Sequence, residues 1–178
     1  MGELIAVLSG KGGTGKTSFC AGVSAALAAR GEKILCIDCD IGLRNLDISL
    51  GMADSAALSF REVSEGGYPL SRASVHPQFD RLHFLTAPMN CTPEQIDAAA
   101  FGEMIRQARR EYDFVLLDAP AGMDTGFRLA AQNADRCVLV TNSDPASIRD
   151  AERAAQVLEL MGKTNVRLIV PTERIIIG

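Results

Sequence analysis

Eight residues near the start of the chain, Gly10-Lys11-Gly12-Gly13-Thr14-Gly15-Lys16-Thr17, have the types and spacing needed to hold a chain of phosphates. Glycines let the backbone turn tightly and aim successive N–H groups at an anion. Lys16 is placed to reach the β- and γ-phosphates, and the Thr17 hydroxyl to ligate Mg²⁺. An apolar run, Leu4-Ile5-Ala6-Val7-Leu8, precedes the loop, and a helix-like stretch runs on to Arg30. Strand, glycine loop, helix is the setting in which this spacing binds phosphate, because the helix start adds its positive end. The expected cradle is Gly10, Lys11, Gly12, Gly13, Thr14, Gly15, Lys16, Thr17 and Ser18. An ordinary strand-to-helix turn is the bland alternative, and the full match in this setting outweighs it.

Carboxylates follow at the ends of two apolar runs. Lys33-Ile34-Leu35-Cys36-Ile37-Asp38 reads as a buried strand, and it continues into Cys39-Asp40. In an extended strand Asp38 and Asp40 share one face, roughly 6.5 Å apart. Carboxylates at the end of a buried strand are costly unless a cation satisfies them. Mg²⁺ takes oxygen ligands and keeps several waters, so one or both acids are candidates for its hydration shell, with solvated loop acids as the alternative. Downstream, Tyr112-Asp113-Phe114-Val115-Leu116-Leu117-Asp118 is an apolar strand ending in an acid, the Walker B arrangement. The metal candidates are Thr17, Asp38, Asp40 and Asp118.

The elements that must position these groups alternate. Beyond the first three strands already named, Arg81–Thr86, Arg136–Thr141 and Val166–Val170 read as strands, giving six. A helix is expected from the Thr92-Pro93-Glu94-Gln95 start, with Ile96, Ala100, Phe101, Met104, Ile105 and Ala108 on one face. Another starts at Asp144-Pro145 and carries Ile148, Ala151, Ala155, Leu158 and Met161. The stretch from Met52 to Asp80 yields only turns and one short helix near Leu58–Val63. Alternation of this kind predicts an α/β fold, a P-loop NTPase three-layer sandwich with a mostly parallel sheet. Its 178 residues fit a single domain, 1–178.

Composition narrows the classes. Eighteen basic against 22 acidic residues leave a net charge of −4, which does not favour a nucleic-acid partner. No run approaches the ~18 apolar residues of a membrane span, and Met1–Leu4 carries no signal-peptide pattern, so a cytoplasmic chain is expected. Five cysteines, an odd number, argue for free thiols. Cys36 and Cys39 form a C-x-x-C in a strand, where positions three apart face opposite ways and chelate poorly.

Lys11 sharpens the reading. Lys-Gly-Gly-x-Gly-Lys-Thr resembles the deviant Walker A loop of the MinD/ParA ATPase family, and Gly42-Leu43-Arg44-Asn45-Leu46-Asp47 resembles the switch I segment of its MinD branch. Asp118-Ala119-Pro120-Ala121-Gly122 is similar to the family's switch II. The resemblance implies ATP and Mg²⁺ as cofactors, an ATP-dependent homodimer and hydrolysis as a spatial switch in cell division. It implies catalytic parts for Lys11, reaching the partner's nucleotide, for Lys16, and for Asp40, positioning the attacking water. It gives Gly122 a backbone N–H for the γ-phosphate, and Ser147–Asp150 a place on the surface that meets MinC- and MinE-like regulators. After Val170 the chain departs from the pattern: Pro171-Thr172-Glu173-Arg174 stands where the family usually has an adenine-binding pair. No amphipathic basic tail follows, so contact with the inner membrane is expected only through a C-terminal helix not present here, with peripheral membrane location reserved for a full-length form. Rival readings are a ParA-like partition or flagellar-number ATPase, and an iron–sulfur reductase of the nitrogenase-iron-protein type, for which Cys91 and Cys137 are the candidate bridging cysteines. A non-hydrolysing nucleotide scaffold would not need Asp38, Asp40 and Asp118.

Overall fold

The computed structural model describes residues 1–53 and 55–171. Thr172–Arg174 and the Ile175–Ile177 run lie outside the described residues. Strands β1 (Glu3–Leu8), β2 (Ile34–Asp38), β3 (Ser74–Val75), β4 (Leu82–Leu85), β5 (Phe114–Asp118), β6 (Arg136–Val140) and β7 (Val166–Ile169) form one sheet in the order β3-β4-β2-β5-β1-β6-β7. All neighbours are parallel except β3, which runs antiparallel to β4 with Ser74 opposite Phe84. Six strands are expected from the sequence; the additional one has two residues and lies in the turn-rich stretch, too short to show a period.

Residue parity sorts the strands into two cores. Leu35 and Ile37 of β2, with Leu4, Ala6 and Leu8 of β1, face a core shared with α3 (Phe60–Ser64), α4 (Ala98–Glu111), α5 (Thr125–Asn133) and α6 (Pro145–Leu160). Ile34 and Cys36, with Val7, face the opposite core, built with α1 (Lys16–Ala29) and α2 (Leu46–Ser49). Period-two alternation on buried strands therefore makes the three layers. Cys36 and Cys39 fall in opposite cores, as strand geometry requires.

Two local expectations are corrected. Thr92 and Gln95 do form a capping box, but it closes only a 3₁₀ turn over Pro93–Gln95. The helix proper, α4, is capped by Asp97, whose carboxylate accepts from the Ala99 and Ala100 amides at 2.9 and 3.0 Å. Ile96 has an extended backbone at the turn's C-cap, so it packs from outside the helix. Helix α5 was not foreseen in the sequence: Asp124 occupies its N-cap position, and Phe127, Ala130 and Ala131 bury against β1 and its neighbours. Asp144 caps α6 as expected, accepting from the Ser147 amide at 3.0 Å with Pro145 in the first turn. Among the described residues no helix is long and apolar enough to cross a membrane.

Candidate nucleotide site

Three adjacent strands, β2, β5 and β1, deliver the site at their carboxyl ends, where α/β sheets bind ligands. Asp38 and Asp118 are register partners, and Asp118 is also paired with Val7 of β1, so two carboxylates and the glycine loop converge. The loop leaves β1 and enters α1 through Gly15, at φ 81°, with Gly13 at φ 76°. These angles suit glycine and strain other residues. Gly10 has a different constraint: a Cβ there would collide with the Asp150 carbonyl of α6.

Gly12, Gly13, Thr14, Gly15, Lys16, Thr17 and Ser18 line a cleft of about 360 Å³, with Asp40, Leu43, Asn45 and Ala121 on its other walls. Among the described residues the amides of Gly12, Gly13 and Gly15 donate to no protein acceptor, while that of Thr14 closes a tight turn over Gly12 and Gly13. The Thr14 hydroxyl is buried without a partner. A ring of unspent donors around an open glycine loop fits a polyphosphate.

Lys16 sits inside the cleft, buried, and its ammonium donates to Asp118 at 2.5 Å, with the Thr17 hydroxyl 3.4 Å away. Burial pushes the Asp118 carboxyl up, while Lys16 and the Thr17 hydroxyl oppose that rise. The Asp40 carboxyl is also raised, chiefly by burial, with Lys16 again opposing. Thr17 and Asp118 meet at the Lys16 ammonium and Asp40 lines the cleft, and oxygen donors of this kind are those Mg²⁺ accepts while keeping most of its waters.

Asp38, a candidate for the metal's hydration shell, is also tied to the backbone of its own segment. It is fully buried, and its two oxygens accept from the amides of Asp40 at 2.9 Å and of Asn45 and Leu46 at 3.2 Å each. Its carboxylate thus folds the switch I segment back on β2 and holds the start of α2. Desolvation pushes its pKa up to about 6 against the lowering effect of those amides. In the same segment Arg44 takes φ 41°, an uncommon left-handed backbone for a residue with a Cβ, and pairs with Asp47 at 3.3 Å.

Gly122, expected to face a phosphate, donates its N–H to the Ser9 carbonyl at 3.1 Å. Lys11 is half-exposed at the rim, 3.9 Å from Asp144. Asn142 reaches the Gly13 carbonyl at 3.4 Å. Sequence reasoning missed Asn142 and Asp144 as loop partners because they come from the β6–α6 connection, which only the fold brings to the loop. Cys137 is buried in β6, while Cys91 lies partly buried in the loop after β4, so the two do not stand together on one bridging loop.

Sheet, loop and flanking helix together define a P-loop NTPase domain. The family profile described as an AAA domain matches residues 2–170. Over 175 residues the chain is 37% identical to the septum site-determining protein MinD of Thermotoga maritima, covering 98% of this chain and 65% of that protein. It superposes with a TM-score of 0.86 on a chain of the MinC:MinD cell division protein complex of Aquifex aeolicus, at 37% identity over 94% of this chain and 68% of that one. The MinD complexed with Mg-ADP from Pyrococcus horikoshii OT3 gives a TM-score of 0.79 at 31% identity, over 94% and 68%. The chain belongs to the MinD family. It spans 60–65% of the length of curated MinD relatives that it matches.

Proposed function

We propose that residues 1–178 form a single MinD-like ATPase domain that binds ATP with Mg²⁺, dimerises in that state and hydrolyses the nucleotide as a spatial switch in cell division. One observation carries this reading: Lys16, buried and bonded to Asp118, stands at the floor of a glycine loop with unspent amides, while Lys11 stands outside at the rim. The first arrangement serves a nucleotide in the same chain, and the second holds a cation at the surface, in a long 3.9 Å pair with Asp144, where it can turn to a neighbour's.

The loop amides hold phosphate oxygens, and Lys16 exchanges Asp118 for the β- and γ-phosphates. Mg²⁺, when bound, would supply neutralisation of the phosphate charge. Thr17 offers the direct ligand, and Asp118, released from Lys16, orients waters. Asp40, on the opposite wall, accepts a hydrogen bond from the attacking water. Lys11 of a second copy adds charge where it develops in the transition state, in the place of an arginine finger. Solved relatives carrying Mg-ADP or a MinC partner support these assignments, and MinC- or MinE-like regulators meeting the start of α6 follow from the same kinship.

Mixing two defective chains tests the reading. Lys11→Ala and Asp40→Ala should each be nearly inactive alone. In a mixed dimer the site on the Lys11→Ala chain keeps its own Asp40 and receives an intact Lys11, so ATPase activity returns. No recovery, with mixed dimers confirmed by tag pull-down, refutes a lysine acting across the interface.

A further inference from the structure

Beneath the phosphate loop lies a thiol pair that the nucleotide chemistry does not use. Cys20 of α1 and Cys36 of β2 are both fully buried, with their sulfurs 3.9 Å apart. Ser24, one turn on, completes the cluster. Its single hydroxyl proton goes to the Cys20 carbonyl at 2.8 Å, so its oxygen accepts from the Cys36 thiol, also at 2.8 Å. The Cys36 proton is thereby turned away from Cys20, leaving a Cys36 sulfur lone pair toward the Cys20 thiol. Among the described residues no other two sulfurs come into contact: Cys39 lies across the sheet, with Cys91 and Cys137 in the same opposite core.

The geometry points to Cys20 and Cys36 as a reversible redox-modification site, whose disulfide displaces the first turn of α1 and so weakens nucleotide binding. The balance is simple with hydrogen peroxide as oxidant. One sulfur attacks a peroxide oxygen, giving a sulfenic acid and one water. The second thiol attacks that sulfur, forming the S–S bond and releasing a second water. Two thiols are oxidised, one peroxide is reduced, and both thiol protons leave in water. A small neutral oxidant is the suitable one, since these sulfurs are closed to bulk solvent. Hydrogen bonding to Cys36, then burial, hold the Cys20 thiol well above its ordinary range, so the reaction is slow and follows transient opening.

Mechanical coupling comes from placement. A disulfide needs its sulfurs about 2.05 Å apart, so the pair must close by roughly 1.9 Å. Cys36 is fixed in a central strand between β4 and β5. Helix α1 starts at Gly15 with no side-chain cap, and is the softer partner. Lys16 is one turn before Cys20, on the same face, so a pull on Cys20 moves the lysine that holds phosphate.

The effect on nucleotide rests on the function proposed above; formation of the bond does not. The nucleotide-free chain is treated with hydrogen peroxide and its peptides are mapped without reduction, beside calorimetric ADP titration and hydrogen exchange of α1. Expected results are a Cys20–Cys36 cross-linked peptide, about tenfold weaker ADP binding, and faster exchange over Lys16–Cys20, all reversed by dithiothreitol. Cys20→Ala and Cys36→Val should respond to none of these treatments, while Cys39→Ala should behave as wild type. No cross-link, or a cross-link with both affinity and exchange unchanged, overturns the proposal. Should the reduced chain fail to bind ADP at all, the nucleotide reading falls, and the exchange result alone decides this one.

Discussion

Removing the Lys16 ammonium from the nucleotide-free protein should cost more stability than its exposed position in a linear sequence suggests. In Lys16→Met the stem is kept and the charge lost. The side chains of Lys16 and Asp118 are 8% and 1% exposed, with 2.5 Å between charged atoms. At an effective dielectric of about 20 the direct attraction is about 7 kcal/mol, most of it offset by the desolvation of both ions. Breaking such a pair from one side strands the other charge, which costs about 3–5 kcal/mol. Asp118 can limit the loss by taking a proton, because its carboxyl is already raised by burial and loses its opposing cation in the variant. A raised folded-state pKa means the folded chain binds the proton more tightly than the unfolded chain. The penalty therefore shrinks as pH falls through the folded pKa, and is largest above it. Urea unfolding in EDTA at about pH 7.5 and about pH 5.5 measures both points. Lys16→Met/Asp118→Asn should recover most of the loss. A Lys16→Met loss below about 1 kcal/mol, the size expected of a surface pair, would refute the buried-pair argument; so would a double variant no more stable than the single one.

Asp118→Asn alone frees Lys16 from its carboxylate, so ADP should bind more tightly without Mg²⁺ and lose most of the tightening that Mg²⁺ gives, as calorimetry with and without EDTA would reveal. Asp38, raised from 3.8 to about 6, contributes stability that is complete below the lower value and lost as pH rises through the upper one, about 3 kcal/mol in all. Chemical unfolding across that window should therefore show the wild-type advantage over Asp38→Asn declining with pH, then levelling above about pH 7. Gly10→Ala drives a methyl group into the Asp150 carbonyl, and a loss of about 1–3 kcal/mol is expected by thermal or urea unfolding.

Sequence alone was most informative where chemistry and local geometry coincide. Gly10–Thr17 carries its strand and helix within thirty residues, and Asp118 ends an apolar run of a kind many α/β strands share, which the upstream loop turns into a specific signal. Asp144 with Pro145 states a helix start in two letters. Helix α5 was harder, since Ala, Gly and Gln around Phe127 and Leu129 give little contrast between faces. The Thr92–Gln95 signal hid a second cap five residues on, at Asp97, and the helix begins there, where Phe101 and Ile105 pack into the core. Asp38 was read as a metal neighbour because its strand parity with Asp40 is visible. The amides of Asn45 and Leu46, which also donate to it, lie seven and eight residues on, and reach it only after the chain turns back.

The Asp38–Asp118 register has a further consequence. Neighbouring parallel strands lie about 4.8 Å apart whatever side chains they carry, so the separation of these two backbones is a repeat distance of the sheet itself. Repacking Ile37 or Leu117 with another apolar residue changes the filling of a layer but leaves the ladder that sets the carboxylates side by side. Alignment at the site is in this sense inherited from peptide geometry, and the lineage can vary its interior widely before the two acids drift. Slippage of β2 against β5 by a single step is the error this arrangement cannot absorb. It would bring Ile37 or Cys39 opposite Asp118, turn a carboxylate into the wrong layer, and leave the glycine loop intact beside a site that no longer meets it.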